Sequence, residues 1–268
     1  MGNKLLLLDI GNTRSKWTVV KPHLDEDFHT HFGAVNNSDL PFKEPFPHGL
    51  EQLGLLKKDL GHIIVCNVAG QLFEDMWMQF LMRHFPNASI QLFTSELSHP
   101  QIKNHYQENK DLGNDRWAAI VGGLHFAPEG QYLVVNCGTA MTIDYVDESL
   151  DFEGGWIIPG VNLMLQSLGS KTALLPNITL QDHATMTYGK LGSSTQEAIL
   201  QGVLHAQIGA IEMAIQEHGE LHRLILSGGN AGFIGQFLLQ SHLHHDQLIH
   251  DPYVVFRGLR GWYLSANG

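Results

Sequence analysis

The feature that most constrains the fold is a pattern that occurs twice, once in each half of the chain. In the first copy an apolar strand ends at Asp9, a Gly11-Asn12 turn follows, and a second β-rich stretch begins. In the second copy the strand ends at Asn136 and the turn is Gly138-Thr139. A strand, a polar residue and a glycine turn in corresponding places indicate an internal duplication.

Around these two copies, short apolar strands alternate with stretches in which apolar residues recur at helical spacing. The clearest of these segments are strands at 63–67 and 224–227 and helices at 71–85, 115–126 and 195–217. The last helix begins at a capping box formed by Ser194 and Glu197. Residues 21–50, which are rich in Pro, His, Asn and Asp, are expected to form loop. The alternation predicts an α/β chain of two similar halves with the active site in the cleft between them.

The charge balance excludes some classes of partner. The 268 residues include 16 Lys and Arg against 27 Asp and Glu, a formal net charge of −11. Nucleic acids and anionic membranes attract clustered Lys and Arg, so neither is expected as the main partner. No leader segment is recognisable, no apolar run approaches the ~18 residues of a membrane span, and two cysteines cannot build a disulfide framework. A soluble cytoplasmic protein is expected.

The glycine turns that follow the strands have the composition of phosphate sites. Such turns expose backbone N–H groups and let a phosphate approach closely. Thr13, Ser15 and Thr139 add hydroxyl groups, and Lys16 adds a positive charge. Asp9 is a candidate ligand for the Mg²⁺ that accompanies a nucleotide. Either turn alone is ordinary in a hairpin, whereas two in corresponding places favour a two-part phosphate site. The P-loop and dinucleotide motifs are both absent from the sequence.

Seven short motifs follow one another along the chain. They are Asp9-x-Gly11-Asn12-Thr13, Gly113-Asn114-Asp115-Arg116, Asn136-x-Gly138-Thr139-Ala140-x-Thr142, Gly154-Gly155-Trp156-Ile157-Ile158-Pro159-Gly160, Ser194-Thr195-x-Glu197-Ala198-Ile199 with Gly202, Ser227-Gly228-Gly229-Asn230-Ala231, and Pro252-Tyr253 through Gly258-Leu259. Each motif alone is weak. Together and in this order they resemble the type III pantothenate kinases from residue 5 to about residue 260, which is nearly the whole chain.

The resemblance implies the fold of the acetate and sugar kinase/actin superfamily, with two ribonuclease-H-like domains and the active site in the cleft between them. Residues 1–112 would form the N-terminal domain with the first phosphate loop. Residues 113–268 would form the C-terminal domain with the second phosphate loop and the adenosine motif, and the last helix would pack back on the N-terminal domain.

The resemblance also implies an activity. It is the ATP-dependent phosphorylation of pantothenate to 4′-phosphopantothenate at the terminal hydroxyl, the first step of coenzyme A biosynthesis. Mg²⁺ and a monovalent cation, K⁺ or NH₄⁺, would be required, and the protein would be a homodimer.

Particular residues carry these implied roles. Asp115 would be the general base. The substrate-binding residues would be Tyr106, Gly113, Asn114, Asp115, Arg116 and Thr195, the last supplied across the dimer. The ATP-binding residues would be Asp9, Ile10, Gly11, Asn12, Thr13, Arg14, Ser15, Lys16, Thr139, Gly228 and Gly229. Asp9 would hold Mg²⁺ through water, and Asn136 stands at the position of the monovalent cation.

Other interpretations of some of these residues stay open. Asp115 in the first turn of a helix also favours the helix dipole, and Thr195 beside Ser194 also fits a plain helix start. The family has Asp where this chain has Asn136, and the loss of a negative charge is expected to weaken a cation site. The C-terminal histidines are interpreted as a polar surface segment because they lack the spacing of a metal site; they are His242, His244, His245 and His250.

Two other functions compete with the kinase. One is a catalytically weak or inactive regulatory protein similar to the Bvg accessory factors, which share the fold and the motifs. The presence of Asp9, Asp115 and Arg116 favours the enzyme, whereas Asn136 leaves room for the regulator. The other is a kinase of the same superfamily that acts on a sugar or a small acid. The Gly113–Arg116 motif, together with Tyr106 and Thr195, argues against that interpretation.

Overall fold

The chain forms two compact units. In the computed structural model the described residues are 4–24, 28–40, 58–171, 178–180, 189–219, 221–241 and 247–267. One unit, here called unit 1, comprises Met1–His125 and Tyr253–Gly268, and unit 2 comprises Phe126–Pro252. This division lies after His125, whereas the resemblance leads us to expect a domain boundary after residue 112. The helix that carries Asp115 packs within unit 1, as does the C-terminal helix.

Unit 1 is built on a five-stranded sheet. Its strands are β1 (Lys4–Ile10), β2 (Arg14–Val20), β3 (Gly33–Asn36), β4 (Leu60–Asn67) and β5 (Ser89–Phe93), and a two-residue strand β6 (Lys103–Asn104) follows them. The order across the sheet is β3-β2-β1-β4-β5. β2 runs antiparallel to β1 and β3, whereas β4 runs parallel to β1 and β5.

Unit 2 repeats that topology. Its strands are β7 (Tyr132–Cys137), β8 (Ala140–Val146), β9 (Asp151–Pro159), β10 (Arg223–Ser227) and β11 (Leu248–His250). They lie in the order β9-β8-β7-β10-β11, with β8 antiparallel to both neighbours and β10 parallel to both of its own. Counted along each unit, both sheets have the order 3-2-1-4-5 with the same strand directions. This agreement is what the duplicated strand–glycine–strand pattern predicts.

The predicted helices are present with small shifts at their ends. The helices are α1 (Gln71–His84), α2 (Asn114–Gly123), α3 (Val161–Lys171), α4 (Thr195–His218), α5 (Ala231–Leu238) and α6 (Val254–Asn267), with short 3-10 turns at Asn37–Asp39 and Asn109–Asp111. The capping box is confirmed, since Ser194 Oγ accepts a hydrogen bond from Glu197 N and Ser193 N donates to Glu197 Oε2.

The prediction of loop throughout residues 21–50 is wrong for Gly33–Asn36, which form β3. Four residues are too few to show an alternating pattern, and β3 is held by backbone pairing to β2. Gly33 makes that pairing possible, because a Cβ at this position would overlap the indole ring of Trp17. Residues 41–57 lie outside the described part of the chain.

The two faces of the unit 1 sheet are packed differently. Leu6, Leu8 and Ile10 lie in one buried cluster with Trp17 and α1, whose Trp77 ring centroid is 6.1 Å from that of Trp17. Alternate residues of a strand point to opposite faces, so Asp9 lies on the other face with Leu5 and Leu7. Helices α2 and α6 pack against each other and against β1 and β4. Asp9 therefore lies on the face away from α1.

Helix α4 is the core helix of unit 2. Its buried face carries Leu200, Leu204, Ile208 and Ile211, which pack with residues of β7, β8 and α5 in one apolar cluster. Among the described residues, α4 is the one helix whose length and hydropathy would allow it to cross a membrane, and half of that stretch is buried. The packing of α4 is that of a core helix in an α/β unit.

Candidate active site

A buried carboxylate stands at the carboxyl end of β1. Asp9 lies opposite Lys16 of β2 and Cys66 of β4 in the strand register, and it is only 7% exposed. Its Oδ1 is fully buried and has no hydrogen-bond partner among the described residues. Burial raises the pKa of Asp9 to about 6, with the charge of Lys16 opposing the rise and that of Asp115 adding to it. A buried carboxylate oxygen left without a donor has the chemistry of a cation ligand.

Asn114 fixes the start of α2 against two strand ends. Its Oδ1 accepts a hydrogen bond of 2.9 Å from Ser95 N, just after β5, and its Nδ2 donates one of 3.0 Å to Asn67 O, at the end of β4. Both ends of the carboxamide are therefore engaged within the protein. Asn114 was expected to bind substrate, but in this structure its side chain anchors the helix that carries Asp115.

Asp115 is a half-buried carboxylate in the first turn of α2. Burial raises the pKa of its carboxyl above the usual range, although the backbone N–H and the charge of Arg116 and the charge of Lys16 pull it back. Its Oδ1 accepts a hydrogen bond of 2.8 Å from Arg116 N. Lys16 pairs with Asp9 in the strand register, and its positive charge lowers the pKa of both carboxyl groups, Asp9 and Asp115.

Arg116 and Tyr106, both expected to bind substrate, lie side by side. Arg116 is 6% exposed, its Nη1 is 3.4 Å from Tyr106 Oη, and its guanidinium carbon is 5.7 Å from the centre of the tyrosine ring. Tyr106 is positioned by its own backbone, whose N–H donates to Asn104 Oδ1 at 3.0 Å. A guanidinium beside a phenol can bind an anionic or polar group of a small substrate.

Asn37, which belongs to none of the sequence motifs, holds the first glycine turn by hydrogen bonds. Asn37 is buried, and its Nδ2 donates to Gly11 O at 2.7 Å and to Asn12 O at 3.2 Å. Ser15 was expected to offer its hydroxyl to a phosphate. Instead its side chain is fully buried, and its Oγ–H donates to Asn37 Oδ1 at 2.9 Å while its Oγ accepts from Trp77 Nε1 at 3.0 Å. Ser15 therefore supports the turn from inside the core, because both its donor and its acceptor functions are occupied.

The second glycine turn, in unit 2, is bracketed by two further glycines. Gly160 N donates to Thr139 O at 2.9 Å, and a Cβ on Gly160 would overlap the carbonyl oxygen of Gly138. On the other side, Gly228 has φ +91°, and a Cβ there would lie 2.6 Å from Asn136 Oδ1. Only glycine fits either position. The motifs that contain Gly160 and Gly228 therefore meet at the second turn.

Asn136 occupies in unit 2 the place that Asp9 occupies in unit 1. It is the second-last residue of β7, and its neighbours in the register are Thr142 of β8 and Ser227 of β10. The equivalent neighbours of Asp9 are Lys16, which carries an ammonium group, and Cys66, which carries a thiol. The unit 2 position therefore offers uncharged oxygen ligands where unit 1 offers a carboxylate.

Each unit holds part of the expected site. Unit 1 brings together Asp9, Lys16, Tyr106, Asp115 and Arg116, whereas unit 2 holds Asn136, Thr139, Thr195, Gly228 and Gly229. Thr195 is exposed at the first turn of α4.

Of the C-terminal histidines, His250 ends β11, and the other three lie outside the described residues. Burial raises the pKa of both cysteine thiols and so favours the protonated thiol over the nucleophilic thiolate.

The supporting residues Asn37, Asn67 and Ser95 were missed because each acts through contacts that are distant in sequence. The one local signal was that Asn67 ends the predicted strand 63–67; Ser95 follows the observed strand β5, two residues after its last residue. Nothing comparable marks Asn37, which lies in a segment rich in other polar residues.

Comparison with known proteins matches most of the chain to one family. The family model of the type III pantothenate kinases matches residues 5–217. A type III pantothenate kinase of Herminiimonas arsenicoxydans is 31% identical over 255 residues, covering 91% of this chain and 94% of that protein. One from Methylobacillus flagellatus is 33% identical over 275 residues, covering 98% of each.

Solved structures with the same fold have lower sequence identity. A Campylobacter jejuni protein of the Baf family of transcriptional activators is 21% identical, with a TM-score of 0.59 over 97% of this chain and 98% of that one. The activator of 2-hydroxyisocaproyl-CoA dehydratase from Clostridium difficile, bound to ADPNP, is 12% identical, with a TM-score of 0.56 over 98% of this chain and 96% of that one. These likenesses confirm the expected fold class, that of actin-like ATPases and sugar kinases.

Proposed function

This chain belongs to the type III pantothenate kinase family and phosphorylates pantothenate in coenzyme A biosynthesis, and on that premise we propose how its residues divide the work. The observation that carries the proposal is the group of Asp9, Lys16 and Asp115, whose charges act on one another, together with the neighbouring Arg116 and Tyr106. Phosphoryl transfer needs an oriented acceptor hydroxyl and screening of the phosphate charge. These residues have groups for both tasks.

Asp115 is the general base of this proposal. Its carboxylate accepts the proton of the terminal hydroxyl of pantothenate while the hydroxyl oxygen forms a bond to the γ-phosphorus, and the bond from that phosphorus to the leaving oxygen of ADP breaks. Arg116 and Tyr106 bind pantothenate, whose carboxylate suits a guanidinium fork. The products are 4′-phosphopantothenate and ADP.

The glycine turns bind the nucleotide. Backbone N–H groups of the turn that follows β1 bind phosphate oxygens, together with Thr13 and Lys16 in unit 1 and Thr139 in unit 2. Gly228 and Gly229 lie at the adenosine side, where the absence of side chains lets the ligand approach the backbone. The chain has fewer Lys and Arg than Asp and Glu residues, so backbone N–H donors provide much of the binding of the negatively charged nucleotide.

Asp9 is the residue that would hold Mg²⁺, through water. The buried Oδ1 without a partner fits that role, since an oxygen ligand is what a hard cation prefers. When bound, the ion screens the negative charge of the phosphate oxygens. The main contribution of the protein at this point is the fixed position of the carboxylate at the end of β1.

The monovalent cation requirement is expected to differ from that of relatives with Asp at the position of Asn136. A carboxamide oxygen is a weaker ligand than a carboxylate, so half-maximal activation is expected at a higher K⁺ concentration than in the Asn136→Asp variant. We expect a difference on the order of tenfold, measured by titrating the kinase rate with KCl. Identical titration curves for the two proteins would contradict this assignment of Asn136.

A homodimer is part of the proposal, and exposed apolar side chains of unit 2 support it. Leu191 is 97% exposed only four residues before Thr195, and Trp156 and Ile157 of β9 are exposed as well. Thr195 would then contact pantothenate bound by the other subunit. Exposed apolar patches commonly mark protein–protein interfaces.

The Leu191→Glu variant is expected to weaken the dimer and to raise KM for pantothenate, because Thr195 would no longer reach the substrate. Analytical ultracentrifugation and steady-state kinetics measure the two effects. The matched control is Leu72→Glu on α1 of unit 1, where the leucine is 69% exposed. If both variants remain dimeric with unchanged KM, the proposed interface is wrong.

One assay separates this function from its alternatives. The purified protein is incubated with ATP and either pantothenate or a panel of sugars and small acids, with and without K⁺, and ADP release is measured. We expect ADP release with pantothenate and with none of the other acceptors. Turnover with another acceptor, or none with any, would overturn the proposal. A cytoplasmic location, where ATP is supplied, belongs to the same proposal.

A further inference from the structure

Asn37 holds the first glycine turn through hydrogen bonds from both its side chain and its backbone. Its Nδ2 donates to Gly11 O at 2.7 Å and to Asn12 O at 3.2 Å, and its backbone N donates to Thr13 O at 2.9 Å. Its Oδ1 accepts from Ser15 Oγ at 2.9 Å. One side chain and its own N–H thus bind three successive carbonyl oxygens of the turn.

This arrangement fixes the direction of the turn's N–H groups. Across a planar trans peptide, the carbonyl of one residue and the N–H of the next point in opposite directions. With the carbonyls of residues 11–13 directed at Asn37, the N–H groups of residues 12–14 point away from it. Successive N–H groups on one side of a turn form a concave binding surface for an anion.

A short polar relay extends from this turn to helix α1. Trp77 Nε1 donates to Ser15 Oγ at 3.0 Å, and Ser15 Oγ donates on to Asn37. Asn37 is 6% exposed and Ser15 is fully buried, in a unit whose neighbouring side chains are otherwise apolar. Burying these groups costs free energy that their mutual hydrogen bonds offset. The relay therefore specifies one conformation of the turn, a task that apolar side chains of the same size could not perform.

We propose that Asn37 is a positioning residue for nucleotide binding, which holds the turn after β1 with its N–H groups towards the phosphates. Asn37 itself does not touch the nucleotide. The inference rests on the proposed function, because it assigns the turn to a phosphate-bearing ligand. It predicts that removing the carboxamide loosens nucleotide binding and leaves pantothenate binding unchanged.

The test measures the Kd of a non-hydrolysable ATP analogue by calorimetry, together with KM for ATP and for pantothenate. Asn37→Ala is expected to raise the nucleotide Kd and the KM for ATP on the order of tenfold, with KM for pantothenate constant. Asn37→Asp retains the acceptor for Ser15 but loses the donor to the two carbonyls, so it is expected to behave like the alanine variant. The matched control is Asn36→Ala, whose exposed side chain precedes Asn37 in the chain.

A milder variant keeps the inference testable if Asn37→Ala does not fold. Trp77→Phe removes the donor at the far end of the relay along with part of a buried ring, leaves Asn37 itself unchanged, and is expected to raise the nucleotide Kd about threefold. A lower melting temperature with wild-type nucleotide Kd, in Asn37→Ala or in Trp77→Phe, would show a purely structural role and overturn the inference. Binding without turnover in the wild type would overturn the proposed kinase activity but not the role of Asn37. No nucleotide binding by the wild type would overturn both.

Discussion

Replacing Asp115 by Asn is expected to lower kcat by about 10²–10⁴-fold while pantothenate still binds. The substitution retains the shape of the side chain and an oxygen that can accept the 2.8 Å hydrogen bond from Arg116 N. It removes the ability to accept a proton from the substrate hydroxyl. Because Arg116 and Tyr106 stay in place, the loss should fall on the chemical step, as a change in kcat with a nearly constant Kd for pantothenate.

The control for this variant is Asp111→Asn, four residues earlier. Asp111 is an exposed carboxylate in the short turn before α2. Its replacement changes the net charge by the same amount and is expected to leave kcat unchanged. Calorimetry with pantothenate and a coupled assay of ADP release measure binding and rate separately. Wild-type turnover in Asp115→Asn would remove Asp115 from the mechanism and leave it as a residue that favours the helix dipole.

Replacing Gly258 by Ala is expected to produce the largest loss of stability among single-methyl additions in unit 1. The backbones of α2 and α6 approach so closely that a Cβ on Gly258 would lie 2.7 Å from Ala118 C and 2.9 Å from Gly122 N. The obstacles are backbone atoms, which cannot move aside as a side chain could. Separating the two helices should lower the free energy of unfolding by about 3 kcal/mol, and because α2 carries Asp115, kcat should fall as well.

The matched control is Gly261→Ala, one turn further along the same helix. The nearest atom to a Cβ there is Val121 Cγ1 at 3.9 Å, an ordinary van der Waals contact. Alanine is favoured over glycine within a helix by roughly 1 kcal/mol, so this variant should be as stable as the wild type or more so. Thermal and urea unfolding measure both variants. Equal stability of Gly258→Ala and Gly261→Ala would refute the close helix crossing.

The part of the fold that could be predicted is the part that is encoded locally. Alternation of apolar strands and amphipathic helices gave the α/β class and the positions of α1, α2 and α4, because each pattern spans one element. The duplicated glycine turns pointed to two similar halves, and the two sheets do share one topology. The packing of α2 against α6 was not predicted: α2 was assigned to the C-terminal domain, whereas the last helix was expected to pack on the N-terminal one. No local signal connects residues so far apart in the chain.

In the candidate site, too, the sequence predicted which residues are present but not the contacts that their side chains make. Motifs located Asp9, Asp115 and Arg116, but a motif states a residue type and not where its side chain points. Ser15 and Asn114 were therefore assigned to ligands, although in the structure their side chains form hydrogen bonds within unit 1. Asn37 has no motif at all, and its contacts with the turn depend on a four-residue strand that only tertiary pairing forms.

Because α6 belongs to unit 1, the two units become complete in a fixed order during synthesis on the ribosome. Unit 2 is one continuous stretch of chain, so all of its strands have been synthesised before α6 appears. Unit 1 is made first but stays incomplete, because α2 lacks the helix that packs against it until residues 254–267 emerge. Domains fold as units when their chain is available. Unit 1, which carries Asp9 and Asp115, is thus completed after unit 2, and under the proposed function a nascent chain has no working acceptor site until residues 254–267 have emerged.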